Sequence, residues 1–208
     1  MITLYTWGTP NGRKVSIMLA ECGLSYRTQA INITRDEQFS PEFMAINPNA
    51  KIPALVDEAG PDGRSISLFE SGAILLYLAE KTGRFLPRNG QSRYEVIQWL
   101  MFQMGGIGPI FGQTHHFLRF APAEVPYAIK RYKGETARLY GVLDRRLGEA
   151  DYLAGDYSIA DIATFPWVAR HEWQEIDLVA YPEVRRWYEM IAVRPAVQQG
   201  MAVPEAAQ

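Results

Sequence analysis

The mix of apolar and polar positions over residues 2–6, Ile-Thr-Leu-Tyr-Thr, predicts a strand there. Val15, Met18, Leu19 and Cys22 then recur at helical spacing, with Gly23 as the stop. Residues 27–33 predict a second strand. Ser40-Pro41 places a hydroxyl cap before a first-turn proline and predicts a short helix. Residues 53–56 and 65–68 predict two more strands, joined through residues 57–64, whose two glycines and one proline suit a hairpin loop. Ile74, Leu75, Leu78 and Ala79 mark one face of a helix that opens at Ser71 and ends at Gly83.

After Gly83 the pattern changes. Residues 83–90 bring glycine, proline and asparagine together in a linker-like stretch, and beyond it strand signals vanish. Residues 91–120 predict a long helix, loosened around Gly105-Gly106-Ile107-Gly108-Pro109. Breaks at Pro122 and Pro126 precede a second long helix over residues 127–149; a third begins near Ser158, and a fourth spans 182–193 before Pro195. Ser158-Ile159-Ala160-Asp161 is a capping box, in which serine and acid satisfy each other's backbone N–H groups. The predicted fold class is α/β followed by all-α: a thioredoxin-like βαβαββα domain (1–84), a linker (85–91) and a helical bundle (92–208).

Composition narrows the function classes. Hydrophobic residues make up 48% of the 208 and charged ones 21%, which is the balance of a globular protein rather than a disordered one. A formal net charge of −2 with no basic run gives no footprint for nucleic acid. The N-terminal residues lack the layout of a signal peptide, and no apolar run approaches the roughly 18 residues of a membrane span. The single cysteine, Cys22, excludes an internal disulfide and a Cys-x-x-Cys redox pair. These features imply a soluble, cytoplasmic protein.

Candidate chemistry sits at two turns. Thr9-Pro10-Asn11-Gly12-Arg13-Lys14 joins the first strand to the first helix, where a thioredoxin-like domain stabilises a thiolate. No cysteine lies there, so a thiol must arrive with a substrate. The Thr9 hydroxyl and the Asn11 side chain or N–H are the donors that would favour its ionised form. Taken alone, the segment also reads as an ordinary turn. At the second turn, Phe69-Glu70-Ser71-Gly72 puts an acid and a hydroxyl at a strand-to-helix junction. Glu70 suits an ammonium, while Ser71 and the helix N-terminus suit a carboxylate. Lys51-Ile52-Pro53-Ala54-Leu55 lies upstream, an X-Pro ahead of an apolar strand.

Together these segments resemble the bacterial nu-class glutathione transferases, the group similar to glutathione-dependent disulfide-bond oxidoreductases. The resemblance also includes Gly-Gln-Thr-His-His-Phe at 112–117 and Pro-Tyr-Ala-Ile-Lys-Arg-Tyr at 126–132, and it runs over nearly the whole chain. It implies that Thr9 and Asn11 contact the glutathione sulfur and that Gln38 and Lys51 belong to the glutathione site, with Gln38 at the glycyl end. Ile52 would pair its backbone with the cysteinyl backbone ahead of a cis Pro53, and Glu70 and Ser71 would hold the γ-glutamyl group. Arg131 matches a position that reaches glutathione from a partner subunit, which implies a homodimer. Arg13 departs from the histidine that some relatives have there, and its place on the helix predicts an outward side chain.

The resemblance implies thiol–disulfide exchange with glutathione as co-substrate, no metal, and a disulfide as the second substrate, with organic hydroperoxides as a further one. Conjugation of glutathione to an electrophile, and a non-catalytic binding module, are the alternatives. His115 and His116 are adjacent on a helix and point about 100° apart, which argues against a shared metal; they are expected to be packed or solvated. Tyr5 is expected in the core or on a strand face. Trp99, Phe102, Phe111, Phe117, Phe120, Trp167 and Trp173 are expected mostly in the core, and Cys22 on a buried helix face, inert.

Overall fold

The computed structural model describes residues 1–204. They form two compact units: Met1–Arg84 together with the residues from Arg194 onward, and Phe85–Val193. Residues 205–208 of the predicted helical range lie outside the described residues.

The first unit is built on a four-stranded sheet in the order β2-β1-β3-β4, with β1 Ile2–Thr6, β2 Tyr26–Ala30, β3 Ala54–Asp57 and β4 Ile66–Phe69. β1 and β2 are parallel and need a crossover, which helix α1 (Pro10–Glu21) supplies. β3 runs antiparallel to both β1 and β4. Ile2, Leu4 and Thr6 of β1 are buried while the residues between them are half-buried, which is the period-two pattern that makes the segment a strand. β2 is an exposed edge and ends sooner than residue 33, because the Asn32 side chain accepts from Thr34 N at 2.9 Å and starts a 3₁₀ turn over Ile33–Arg35. A second 3₁₀ turn, Glu37–Phe39, leads to α2 (Pro41–Ile46), capped by Ser40 Oγ, which accepts from Phe43 N at 3.2 Å.

The β3–β4 connection is more than a hairpin loop. Asp57 is buried at the end of β3 and accepts hydrogen bonds from Tyr77 Oη at 2.7 Å and Ala59 N at 2.9 Å, with Lys81 Nζ at 2.9 Å. Burial pushes its carboxyl pKa up, but the bonds from Lys81, Tyr77 and Ala59 outweigh this and hold it below the ordinary value. The cluster ties the hairpin to α3 (Ser71–Thr82), which Gly83 ends in the left-handed conformation at φ 67°.

Pro195, expected to close the last helix, instead opens another, α9 (Pro195–Met201), because proline is at home in a first helical turn. α9 packs on α1 closely enough that a Cβ at Gly200 would lie 2.4 Å from Ile17 Cα, and Ser16 Oγ donates to Gly200 O at 2.6 Å. Arg194 grips the buried Glu21 with two hydrogen bonds, at 2.7 and 2.9 Å. Gly200→Ala is therefore expected to push α9 away from the α1 backbone and to lower stability by about 1–3 kcal/mol, read as a fall in the thermal midpoint.

The second unit is helical. α4 (Gly90–Phe102), a π turn at Gln103–Ile107, α5 (Gly108–His115) and a second π turn at His116–Phe120 run in succession. The loosening expected near Gly105 is thus a π turn, and a second one follows α5. A Cβ at Gly112 would lie 3.4 Å from the Trp167 ring, so the missing side chain leaves that tryptophan its place. α6 (Pro126–Leu147), α7 (Ile159–Val168) and α8 (Pro182–Ala192) complete the unit. Its core contains Leu139, Tyr140 and Leu143 of α6 with Ile162 of α7 and Trp187 of α8. Residues 85–89 are docked at their start: Phe85 meets the edge of Tyr157, with ring centres 5.7 Å apart, and its carbonyl accepts from Ile159 N at 3.1 Å.

Among the described residues no helix is long and apolar enough to cross a membrane, and no group of His, Cys, Asp and Glu is placed to hold a metal.

Candidate functional site

Strand register brings the candidate residues of the first unit to one end of its sheet. Tyr5, near the end of β1, pairs with Ala54 at the start of β3, and Ala54 pairs with Phe69 at the end of β4. The segments entering and leaving these strands, Thr9 with Asn11, Ile52-Pro53, and Glu70-Ser71, therefore emerge on the same side. Thr6 of β1 pairs with Ala30 of β2, so the connection that carries Gln38 leaves from that end too. Beneath them Ile31, Phe43 and Ala54 form a small core with Tyr5, Ile46 and Ile52 packed against it. Tyr5 tilts against Phe43 with ring centres 6.1 Å apart, the strand-face role expected of it.

Thr9 is the N-cap of α1. Its extended backbone (φ −106°, ψ 160°) turns the side chain back so that Oγ1 accepts from Gly12 N at 3.2 Å. That bond uses an acceptor site on the hydroxyl and leaves its proton for another partner. Asn11 follows in the first turn. Gly12 has a steric reason to be there: a Cβ would meet Thr6 Oγ1 at 2.3 Å and Trp7 O at 2.4 Å, so only glycine lets α1 start this close to the end of β1.

Ile52–Pro53 is cis. The exposed Lys51 is held through its carbonyl, which accepts from Asn47 Nδ2 at 2.6 Å, while Asn47 Oδ1 accepts from Asn49 N at 2.9 Å. Asn47 is buried and pins the loop from both ends of its amide. Gln38 is half-buried; its Nε2 donates to Asp36 Oδ1 at 3.4 Å, and its Oε1 is buried with no hydrogen-bond partner among the described residues.

Glu70 adopts φ 69° and ψ 110°, a conformation that non-glycine residues rarely hold. It keeps an exposed side chain at the mouth of α3, and its own carbonyl accepts from Ile74 N at 3.0 Å. Ser71, the first residue of α3, is buried. Its Oγ lies 3.3 Å from the Nζ of Lys14, a residue the sequence reading passed over. Lys14 is 1% exposed; burial pulls its ammonium pKa down to about 7, with the nearby charge of Glu70 opposing the shift. The available signal was helical spacing: Lys14, Val15 and Met18 share the face of α1 that turns inward.

One expectation needs correction. Arg13 does not point outward. It is half-buried, its Nε is buried with no hydrogen-bond partner among the described residues, and burial lowers its pKa. Cys22 is half-buried, with Sγ 3.5 Å from Thr82 Oγ1. Burial chiefly pushes its thiol pKa up, which leaves it a weak nucleophile.

Arg131 is exposed on α6 of the second unit, where with Ile110, Tyr132 and Glu135 it lines a cavity of about 350 Å³. His115 is buried in that unit, its ring 5.8 Å from that of Trp167 and 5.5 Å from that of Trp173. Burial, reinforced by the charges of Arg170 and Arg119, lowers its pKa to about 4. His116, next to it in the chain, is exposed.

The fold and these turns define a thioredoxin-like unit whose first helix opens on a threonine instead of a cysteine, followed in the same chain by an all-helical unit. Comparison with known proteins gives that class a family. Residues 1–80 match the glutathione S-transferase N-terminal domain, and residues 109–195 match the glutathione S-transferase C-terminal domain. The chain belongs to the glutathione S-transferase family. It is 52% identical to the disulfide-bond oxidoreductase YfcG of Escherichia coli over 97% of this chain and 94% of that one. The disulfide-bond oxidoreductase YghU of the same organism is 42% identical over 97% of this chain and 74% of its own. Among solved structures, a glutathione transferase from Burkholderia graminis with two glutathione molecules bound per subunit superposes with a TM-score of 0.94 at 48% identity, covering 99% of this chain and 89% of that one. Another from Pseudomonas putida, with one glutathione disulfide bound per subunit, gives 0.93 at 49% identity and covers 98% and 91%.

Proposed function

We propose that this protein is a glutathione-dependent disulfide-bond oxidoreductase. The observation that carries the reading is the opening of α1: an N-capping threonine stands where a thioredoxin-like protein would carry its own thiol, and Cys22 lies elsewhere. The reactive sulfur is then the substrate's. The relatives named as disulfide-bond oxidoreductases and the neighbours with two glutathiones or glutathione disulfide support it.

In this reading Thr9 Oγ1–H and Asn11 donate to the sulfur of bound glutathione and favour its thiolate. The thiolate attacks one sulfur of a disulfide RS–SR′; a new S–S bond forms to glutathione, the old one breaks, and R′S⁻ leaves and takes up a proton. A second glutathione thiolate attacks the glutathione sulfur of the mixed disulfide, which releases glutathione disulfide and RS⁻. Two glutathiones are oxidised and one disulfide is reduced. Gln38, Lys51, the Ile52 backbone, Pro53, Glu70 and Ser71 hold the peptide, with Glu70 on the α-ammonium and Ser71 on the α-carboxylate. Arg131 completes the site of a second copy in a homodimer. The enzyme works in the cytoplasm, where reduced glutathione is at hand. Reduction of organic hydroperoxides belongs to the same thiolate.

Steady-state assays with glutathione test this directly, one with 2-hydroxyethyl disulfide and one with a chlorodinitrobenzene electrophile. Fast disulfide reduction beside feeble conjugation is expected; the reverse would make the protein a conjugating transferase, and inactivity in both a binding module. Thr9→Ala is expected to lower kcat/KM for disulfide reduction about tenfold or more, because a hydrogen bond to a charged sulfur is worth about 1.5–3 kcal/mol. It also removes a cap worth about 1 kcal/mol, so the thermal midpoint falls by about 2–4 °C. Thr9→Ser keeps both the cap and the donor and is expected to restore both readouts. A rate unchanged in Thr9→Ala would assign the sulfur to Asn11 or to backbone N–H groups.

A further inference from the structure

A positive charge lies beneath the turn assigned to the γ-glutamyl end. Lys14 is among the largest fully buried side chains of the protein, at 1% exposure, and its Nζ lies 3.3 Å from Ser71 Oγ. An ammonium has three donors and no acceptor, so in this contact Ser71 Oγ accepts. Burying an ammonium is unfavourable unless charge and hydrogen bonds offset it, and an apolar side chain of similar length would fill the same space without that cost. What the charge offers at this place is an effect on whatever meets Ser71 from the other side.

We propose that Lys14 is a positioning residue of the γ-glutamyl subsite: its ammonium polarises the Ser71 hydroxyl from below and adds a positive charge where the substrate's α-carboxylate meets the N-terminus of α3. This inference rests on the glutathione reading above. Three effects then favour the carboxylate together: the helix dipole, the serine hydroxyl and the buried ammonium. The third makes the subsite selective for ligands with a free α-carboxylate. It is also the one that pH alters.

Among the described residues, Glu70 at the start of α3 is a charged group coupled to Lys14. Of the other groups on elements packed around α1, Glu21 is paired with Arg194, Arg13 lies on α1 itself, Tyr5 lies on β1, and Tyr77, Glu80 and Lys81 lie further along α3. α9 carries no titratable side chain. With Lys14 titrating at about 7, a carboxylate at Ser71 favours the protonated lysine. By linkage the protonated lysine favours the carboxylate by the same factor. Affinity therefore falls as pH rises through neutrality.

The test uses S-methylglutathione, whose blocked sulfur removes thiol ionisation from the measurement, and its analogue with the γ-glutamyl α-carboxylate converted to an amide. Binding is measured calorimetrically between about pH 6 and about pH 8, a range centred on neutrality and below the ordinary lysine value. The wild type is expected to bind S-methylglutathione about tenfold more weakly at the upper end. Lys14→Met is expected to be about tenfold weaker at the lower end and flat with pH. Lys14→Arg, charged throughout, is expected to be tight and flat. The amide analogue is expected to be indifferent to residue 14. In turnover, Lys14→Met raises KM for glutathione and leaves kcat in place.

Equal losses for both ligands in Lys14→Met overturn the inference by reducing Lys14 to a structural role, and a flat wild-type profile overturns its pH dependence. If Lys14→Met fails to fold by circular dichroism, the wild type and Lys14→Arg with the two ligands decide the same question. Binding of S-methylglutathione that ignores residue 14 removes the Lys14 inference alone. No binding by the wild type removes the glutathione reading and this inference with it.

Discussion

Asp161→Ala is expected to lower stability by roughly 4 kcal/mol or more, the largest effect of any single change considered for this chain. Asp161 is fully buried at the start of α7 and serves four donors: Leu153 N at 3.0 Å, Ser158 N at 3.0 Å, Ser158 Oγ at 3.2 Å and Trp187 Nε1 at 2.9 Å. Alanine would strand buried N–H groups, each costing about 1–3 kcal/mol when left without a partner. Against a total stability of about 5–15 kcal/mol this threatens the fold itself, and thermal melting should show a midpoint about 10 °C lower or more.

The same group has a pH signature. Burial pushes the Asp161 pKa up to about 6, with its four hydrogen bonds opposing the shift. A folded-state value above the unfolded one of about 3.9 means a contribution that is fully present below about pH 4 and is lost as pH rises through about 6. Asp161→Asn cannot titrate. Its deficit relative to wild type should therefore be greatest near about pH 4 and smallest above about pH 6, as denaturant melts at several pH values would show.

Glu70→Gly is expected to separate binding from stability. At φ 69° and ψ 110° the glutamate holds a backbone conformation that costs a non-glycine residue about 1–3 kcal/mol. Glycine adopts positive φ freely, so the variant should melt no lower than the wild type. It loses the carboxylate assigned to the substrate's α-ammonium, a charge-assisted hydrogen bond of about 1.5–3 kcal/mol, so affinity for glutathione should fall roughly ten- to hundredfold. Glu70→Gln should lose affinity too but keep the strain. Removing Glu70 also withdraws the charge that supports the Lys14 ammonium, so the lysine should discharge at still lower pH. Affinity that survives in Glu70→Gly would take this residue out of the site.

The local chemistry of the chain was readable without the structure wherever cause and effect lie within a few residues. The Ser40-Pro41 start and the Ser158–Asp161 capping box formed as their spacing predicts, because each depends on a side chain reaching N–H groups in its own first helical turn. The strand–helix–strand order, and the turn at Thr9 without a cysteine, were equally legible. Local rules misled where they met competing local chemistry. The second strand ended at Ala30 because Asn32 began a turn, and Pro195 began a helix because proline suits both a stop and a start.

By itself, then, the sequence determined the class of element at each stretch, the caps that bound the helices, and the absence of a protein thiol at the first turn. The tertiary structure alone decided which turns share an end of the sheet, since that follows from the register of β1, β3 and β4. It alone buried the charge of Lys14 beneath Ser71, 57 residues further along, and brought Gly200 onto Ser16 across 184 residues. Periodicity and capping act over a turn or two of helix. Desolvation of a charge and the close approach of two backbones depend on what the rest of the chain places there, and no short window of sequence contains it.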